Sequence, residues 1–174
     1  MATVVGNMST IVTALHTYTW TREKAGNPTV LAVKNKDGTV VYIPMSEVGL
    51  AYGPDDQLIM NLKAPLPDGY AKPAEYTEPQ SITVGQTVGI AYMNTDGEFR
   101  VLTTQILGVQ NGRYFVRNPI ALLSNNDNFL LMYGGDSGGG VFVNGQFVGI
   151  NVQASMYWFD PRAYFVPYPS NVLP

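Results

Sequence analysis

The chain of 174 residues contains no cysteine, so no disulfide can staple it and no thiol can serve as nucleophile. It contains one histidine, which leaves too few soft ligands for a structural zinc site. Charged residues make up 13 % of the chain for a formal net charge of -3, and the ten lysines and arginines are scattered rather than gathered into the basic stripe that nucleic-acid binding uses. No apolar run approaches the length of a membrane span, and residues 1–6 do not read as a signal peptide. These absences point to a soluble protein and leave its compartment open. With 45 % hydrophobic and 11 % aromatic residues, the chain can still bury a sizeable core as one compact unit of one or two lobes.

What is present is concentrated in one run, Gly135-Asp136-Ser137-Gly138-Gly139-Gly140, followed by the apolar Val141-Phe142-Val143. Glycines on both sides of a serine allow positive φ and close approach of backbone to a substrate. In such a turn the amides of Gly135 and Ser137 can converge on the point where an oxyanion would form if Ser137 attacked a carbonyl. The plain alternative is a glycine-rich hairpin leading into a strand.

A serine hydroxyl needs a base, normally a histidine oriented by a carboxylate. The sole histidine, His16, closes the apolar, β-branched run Ser9-Thr10-Ile11-Val12-Thr13-Ala14-Leu15-His16, which is predicted to place it at a strand end.

With these residues in view, the chain resembles the trypsin-like serine peptidases, and its later part the bacterial HtrA type. Thr13-Ala14-Leu15-His16 is similar to the family's Thr/Ser-Ala-Ala-His signature, and Gly135-Asp136-Ser137-Gly138-Gly139 is identical to its nucleophile motif. Asp55-Asp56-Gln57-Leu58-Ile59-Met60-Asn61-Leu62 resembles the segment in which the triad aspartate opens a buried strand. Gln146 to Asn151 and Ala163 to Pro167 resemble the two strands that follow the serine. The resemblance implies a His16, Asp56, Ser137 triad that hydrolyses peptide bonds through an acyl-enzyme without a cofactor or metal, with a protein or peptide as substrate. Asp55 is the competing carboxylate; it would otherwise cap the turn begun by Gly53-Pro54.

The remaining sequence reads as short strands punctuated by Asp37-Gly38, Asp96-Gly97, Asn111-Gly112 and Asn144-Gly145, with no segment of sustained helical period. The expected fold is all-β, two six-stranded antiparallel barrels of the chymotrypsin-like type. Residues 1–66 would form the lobe carrying His16 and Asp56, residues 67–80 a proline-rich connector, and residues 81–174 the lobe carrying Ser137. The alternative for the four prolines between Ala64 and Pro79 is a long surface loop inside one sandwich.

By the same resemblance, the pocket for the residue before the cut involves Leu131, Val152, Gln153, Ala154 and Ala163. None is charged, which points to an apolar substrate residue rather than lysine or arginine, while Asp160 keeps the basic alternative open. Val152 to Ser155 could pair with substrate backbone as an added strand, or be an ordinary edge.

Only residues 1–15 precede His16, room for a strand Thr3 to Val5 and little more. The first barrel is therefore expected to be incomplete at its amino terminus. Its open edge would be completed by a second copy, an upstream precursor segment or the chain's own tail around Tyr164 to Val172. The competing functional class is a binding or structural module that keeps the fold without turnover. An α/β-hydrolase is disfavoured because histidine precedes serine and a strand follows it.

Overall fold

The computed structural model describes residues 1–77, 80–94, 97–118, 137–155 and 160–168. Among them are twelve strands and one α-helix, so the all-β expectation holds.

The first lobe is built from β1 (Ala2–Val4), β2 (Thr10–Ala14), β3 (Val30–Lys34), β4 (Val40–Pro44), β5 (Val48–Gly53) and β6 (Gln57–Leu62). Four of these form an antiparallel sheet in the order β1-β2-β6-β5, and β3 and β4 form a separate hairpin. No ladder among the described residues joins the hairpin to the sheet. Packing joins them instead: Leu31, Val33, Val41 and Ile43 of the hairpin lie against Ile11, Leu58, Met60 and Leu62 of the sheet.

Period-2 alternation explains why β2 is buried along its whole length. Ile11 faces the core of its own lobe, while Val12 and Ala14 face the other way, against Phe147, Ile150 and Val152 of the second lobe. On β6, Leu58 and Met60 point inward and Ile59 outward to the same inter-lobe cluster. Each fully buried aliphatic or aromatic side chain there contributes about 1.5–3 kcal/mol, so the contact between lobes is a core and not a hinge.

The second lobe is a closed barrel of β7 (Thr87–Met93), β8 (Phe99–Gln110), β9 (Arg113–Arg117), β10 (Gly140–Val143), β11 (Gln146–Ser155) and β12 (Arg162–Pro167), in the order β10-β11-β12-β9-β8-β7. Asn-Gly turns close two of its hairpins, as their sequence predicts. Asn111 and Gly112 have φ of 52° and 77°, and Asn144 and Gly145 have 50° and 76°, the paired left-handed residues that match the twist of the flanking strands.

The proline-bearing segment is stitched to both lobes. The Ala74 amide donates to Val4 O at 2.7 Å, the Gly6 amide to Ala74 O at 2.8 Å, and the Phe147 amide to Glu75 O at 2.7 Å. The far edge of β1 is thus covered at its carboxyl end by the connector. Tyr164 to Pro167 are not available to cover it, because they pair with β9 and β11 inside the barrel.

One sequence expectation fails here. Residues Leu15–Ala25 form an α-helix, α1, of eleven residues with none buried. Its sequence shows no amphipathic period because no face of the helix is buried, with Leu15 and Tyr18 only partly packed against the first-lobe core, and its start is set by a distant residue.

Candidate active site

His16 is the second residue of α1 rather than the end of β2. The helix begins at the end of β2 without a side-chain cap of its own: Ala14 occupies the N-cap position. Asp56, forty residues away, supplies the missing acceptors. Its carbonyl takes the Leu15 amide at 2.9 Å, and its Oδ1 takes the His16 amide at 2.8 Å. Two amides otherwise orphaned at a helix start are satisfied, with a carboxylate at the positive end of the helix dipole.

The other carboxylate oxygen of Asp56 lies 2.5 Å from His16 Nδ1. A proton on Nδ1 shared with this carboxylate leaves Nε2 as the acceptor. Asp56 is mostly shielded, with 17 % of its side chain exposed, whereas 48 % of His16 is exposed. The ring is thereby held from behind and open in front.

Asp55 and Asp56 both adopt left-handed backbone, with φ of 52° and 59°, yet their side chains have different partners. Asp55 accepts from Arg113 Nε at 2.9 Å and from Nη2 at 2.7 Å. The Arg113 hydrogen bonds hold the Asp55 carboxyl below its ordinary pKa of 3.8. Asp55 therefore meets the second barrel instead of capping its own turn.

Ser137 is half-buried at the start of the described part of its turn, followed by three buried glycines. Gly138 has φ of 95°. Its amide donates to Asn151 O at 2.8 Å, and the Asn151 amide donates back to Gly139 O at 2.9 Å. From the first lobe, Thr3 Oγ1 donates to Gly138 O at 3.1 Å. A Cβ on Gly138 would collide with the carbonyl of Met1 and lie 2.6 Å from Thr13 Oγ1. The serine turn is thus seated against the strand that ends two residues before His16. Gly135, Asp136 and Leu131 lie outside the described residues.

Of the remaining pocket candidates, Gln153 is exposed and Ala154 half-buried. Val152 is buried in the inter-lobe cluster, and Ala163 is fully buried in the barrel core. Asp160 is paired with Arg162 at 2.8 Å. A cleft of about 520 Å³, lined by Asp55, Gln110, Arg113, Gln153 and Tyr164 among others, runs beside the Asp55–Asp56 turn. Among the described residues no group of three His, Asp or Glu side chains could hold a metal ion, and no helix is long and apolar enough to cross a membrane.

Sequence reasoning overlooked Thr13, Asn151 and Arg113. Thr13 stood inside the histidine motif and Asn151 at the end of a matched strand, but their contacts to the serine turn depend on how the lobes meet. Arg113 was one of ten scattered basic residues.

The fold is that of the chymotrypsin-like proteases. The sequence model of the trypsin family matches residues 1–157, and the chain belongs to that family. No curated protein matches the sequence. Among solved structures, the chain is similar to the MamO protease domain from Magnetospirillum magneticum in its apo form, with a TM-score of 0.57 and 16 % identity over 95 % of this chain and 82 % of that one. It is also similar to Deg5, with a TM-score of 0.57 and 14 % identity over 95 % of this chain and 76 % of that one. A variant of the HtrA-type protease AlgW with a decapeptide matches at a TM-score of 0.60 and 14 % identity, over 95 % of this chain and 46 % of that one.

Proposed function

We propose that this protein is a serine endopeptidase in which Ser137, His16 and Asp56 act as nucleophile, base and orienting carboxylate. The observation that carries this reading is the double engagement of His16 by Asp56, at the ring Nδ1 and at the backbone amide, beside a glycine turn that offers a serine from the opposite lobe. His16 Nε2 takes the Ser137 proton as the hydroxyl attacks the scissile carbonyl, Asp56 stabilises the resulting imidazolium, and His16 then protonates the leaving amine. Water repeats the sequence on the acyl-enzyme. The amides of Gly135 and Ser137 are the proposed oxyanion donors.

Membership of the family makes a protein substrate the natural expectation. On β11, pairing with β10 ends at Ile150 while pairing with β12 continues to Ser155. No described strand pairs with the other edge of Val152 to Ser155, which suits an extended substrate chain laid alongside.

Labelling with a fluorophosphonate probe tests the reading. An activated Ser137 reacts and the Ser137→Ala variant does not. An intact, folded protein whose Ser137 stays unlabelled would instead be a scaffold that keeps the fold without turnover.

A further inference from the structure

The turn that presents Asp56 to His16 is held from its far side. Two consecutive non-glycine residues at φ of 52° and 59° occupy a region that side chains with a Cβ disfavour, so surrounding contacts must impose it. Gln57, almost completely buried, donates its single amide nitrogen to Pro54 O at 2.9 Å and to Pro167 O of the second lobe at 3.0 Å. Asp55 receives the forked pair of bonds from Arg113. The third nitrogen of that guanidinium, Nη1, donates to Gln153 Oε1 at 2.6 Å. Arg113 itself opens β9 directly after the Asn111-Gly112 turn. Adjacent aspartates thus tie one turn in two directions, Asp56 to the histidine and Asp55 to the barrel that carries Ser137.

We propose that Arg113 is a positioning residue for the His16–Asp56 pair: its fork on Asp55 fixes the turn and keeps the first-lobe half of the site in register with Ser137. Its kinetic consequence rests on the peptidase reading; its structural consequence does not. The planar guanidinium satisfies both carboxylate oxygens and Gln153 at once, which a lysine ammonium cannot do in this geometry. Displacements near 1 Å in a catalytic group cost on the order of 10²-fold in rate, so a modest relaxation of the turn is enough to be read.

The test compares Arg113→Met, Arg113→Lys, Asp55→Asn and the double variant Asp55→Asn/Arg113→Met with the parent chain. Arg113→Met should lower kcat on a peptide ester roughly 10- to 100-fold with KM within about twofold. Arg113→Lys should recover only part of that loss, and the double variant should be no slower than Arg113→Met alone. The chain has one histidine, so imidazole resonances belong to His16 alone. The proton between Nδ1 and Asp56 should appear far downfield in the parent chain and be broadened or lost in Arg113→Met. A loss carried by KM alone would make Arg113 a substrate contact and overturn the proposal, as would unchanged kcat together with an unchanged resonance. If Ser137 of the parent chain fails to react with the fluorophosphonate, the peptidase reading falls and the resonance comparison alone decides the role of Arg113. If Arg113→Met does not fold, Arg113→Lys, which keeps the cation without the fork, carries both comparisons.

Discussion

Asp56 grips His16 twice, with one carboxylate oxygen 2.8 Å from its backbone amide and the other 2.5 Å from its ring Nδ1. One side chain therefore starts the helix that carries the histidine and sets the direction of the imidazole. The two tasks separate under mutation. Asp56→Asn can still accept the His16 amide through its carbonyl oxygen but favours the wrong ring tautomer, so it should lower turnover by about 10⁴-fold with little change in denaturant midpoint. Asp56→Ala should add a stability loss of about 1 kcal/mol from the missing cap. Equal midpoints for the two variants would show that the capping bond contributes nothing measurable.

Ser137→Ala should reduce peptide or ester hydrolysis by several orders of magnitude, to near background, because nothing else in the turn can form the acyl-enzyme. Circular dichroism should be unchanged. A folded variant that kept most of its activity would remove Ser137 from the mechanism.

Gly138→Ala addresses the seat of the serine turn. Positive φ of 95° and a collision with the Met1 carbonyl and Thr13 Oγ1 leave no room for a methyl group, and the atoms in the way include backbone. The variant should lose more than about 2 kcal/mol in chemical denaturation and label poorly with fluorophosphonate. Parent-like stability and labelling would mean that the two lobes can part at this contact without cost.

The Asp55–Arg113 pair predicts an acid-side dependence. Because hydrogen bonding to Arg113 depresses the folded-state pKa of Asp55 below 3.8, its stabilisation is complete above the unfolded-state value and fades as pH falls through the lower, folded one. Asp55 is substantially exposed, so solvent screening keeps the effect small. Asp55→Asn should flatten the stability profile below about pH 4 relative to the parent chain, measured by denaturant titration across that range. Superimposable profiles would assign the acid response to other carboxylates.

The residues proposed for the chemistry could be picked out in the sequence because the motifs that mark them are local. A serine followed by glycines and Asn-Gly turns between apolar strands state their backbone geometry in the residues themselves, whereas the β-branched run before His16 gave the strand and not the helix that His16 enters. The inward face of β6 was also visible, since Leu58, Met60 and Leu62 alternate. Helix α1 was not visible, because none of its residues is buried and its first amides depend on an acceptor forty positions away. Nor was the arrangement of the first lobe, where a hairpin completes the core by side-chain packing without joining the sheet by hydrogen bonds.

The sequence by itself determined which residue types could do the chemistry and the order in which they occur. Tertiary structure decided which of two adjacent aspartates reaches His16. Asp55 and Asp56 are chemically identical and share the same left-handed backbone, so no local rule separates them. The separation comes from position: one faces the start of α1 and the other faces Arg113 on the neighbouring barrel. Those partners are near only because Val12, Ile59, Phe147 and Ile150 bury the two lobes against each other.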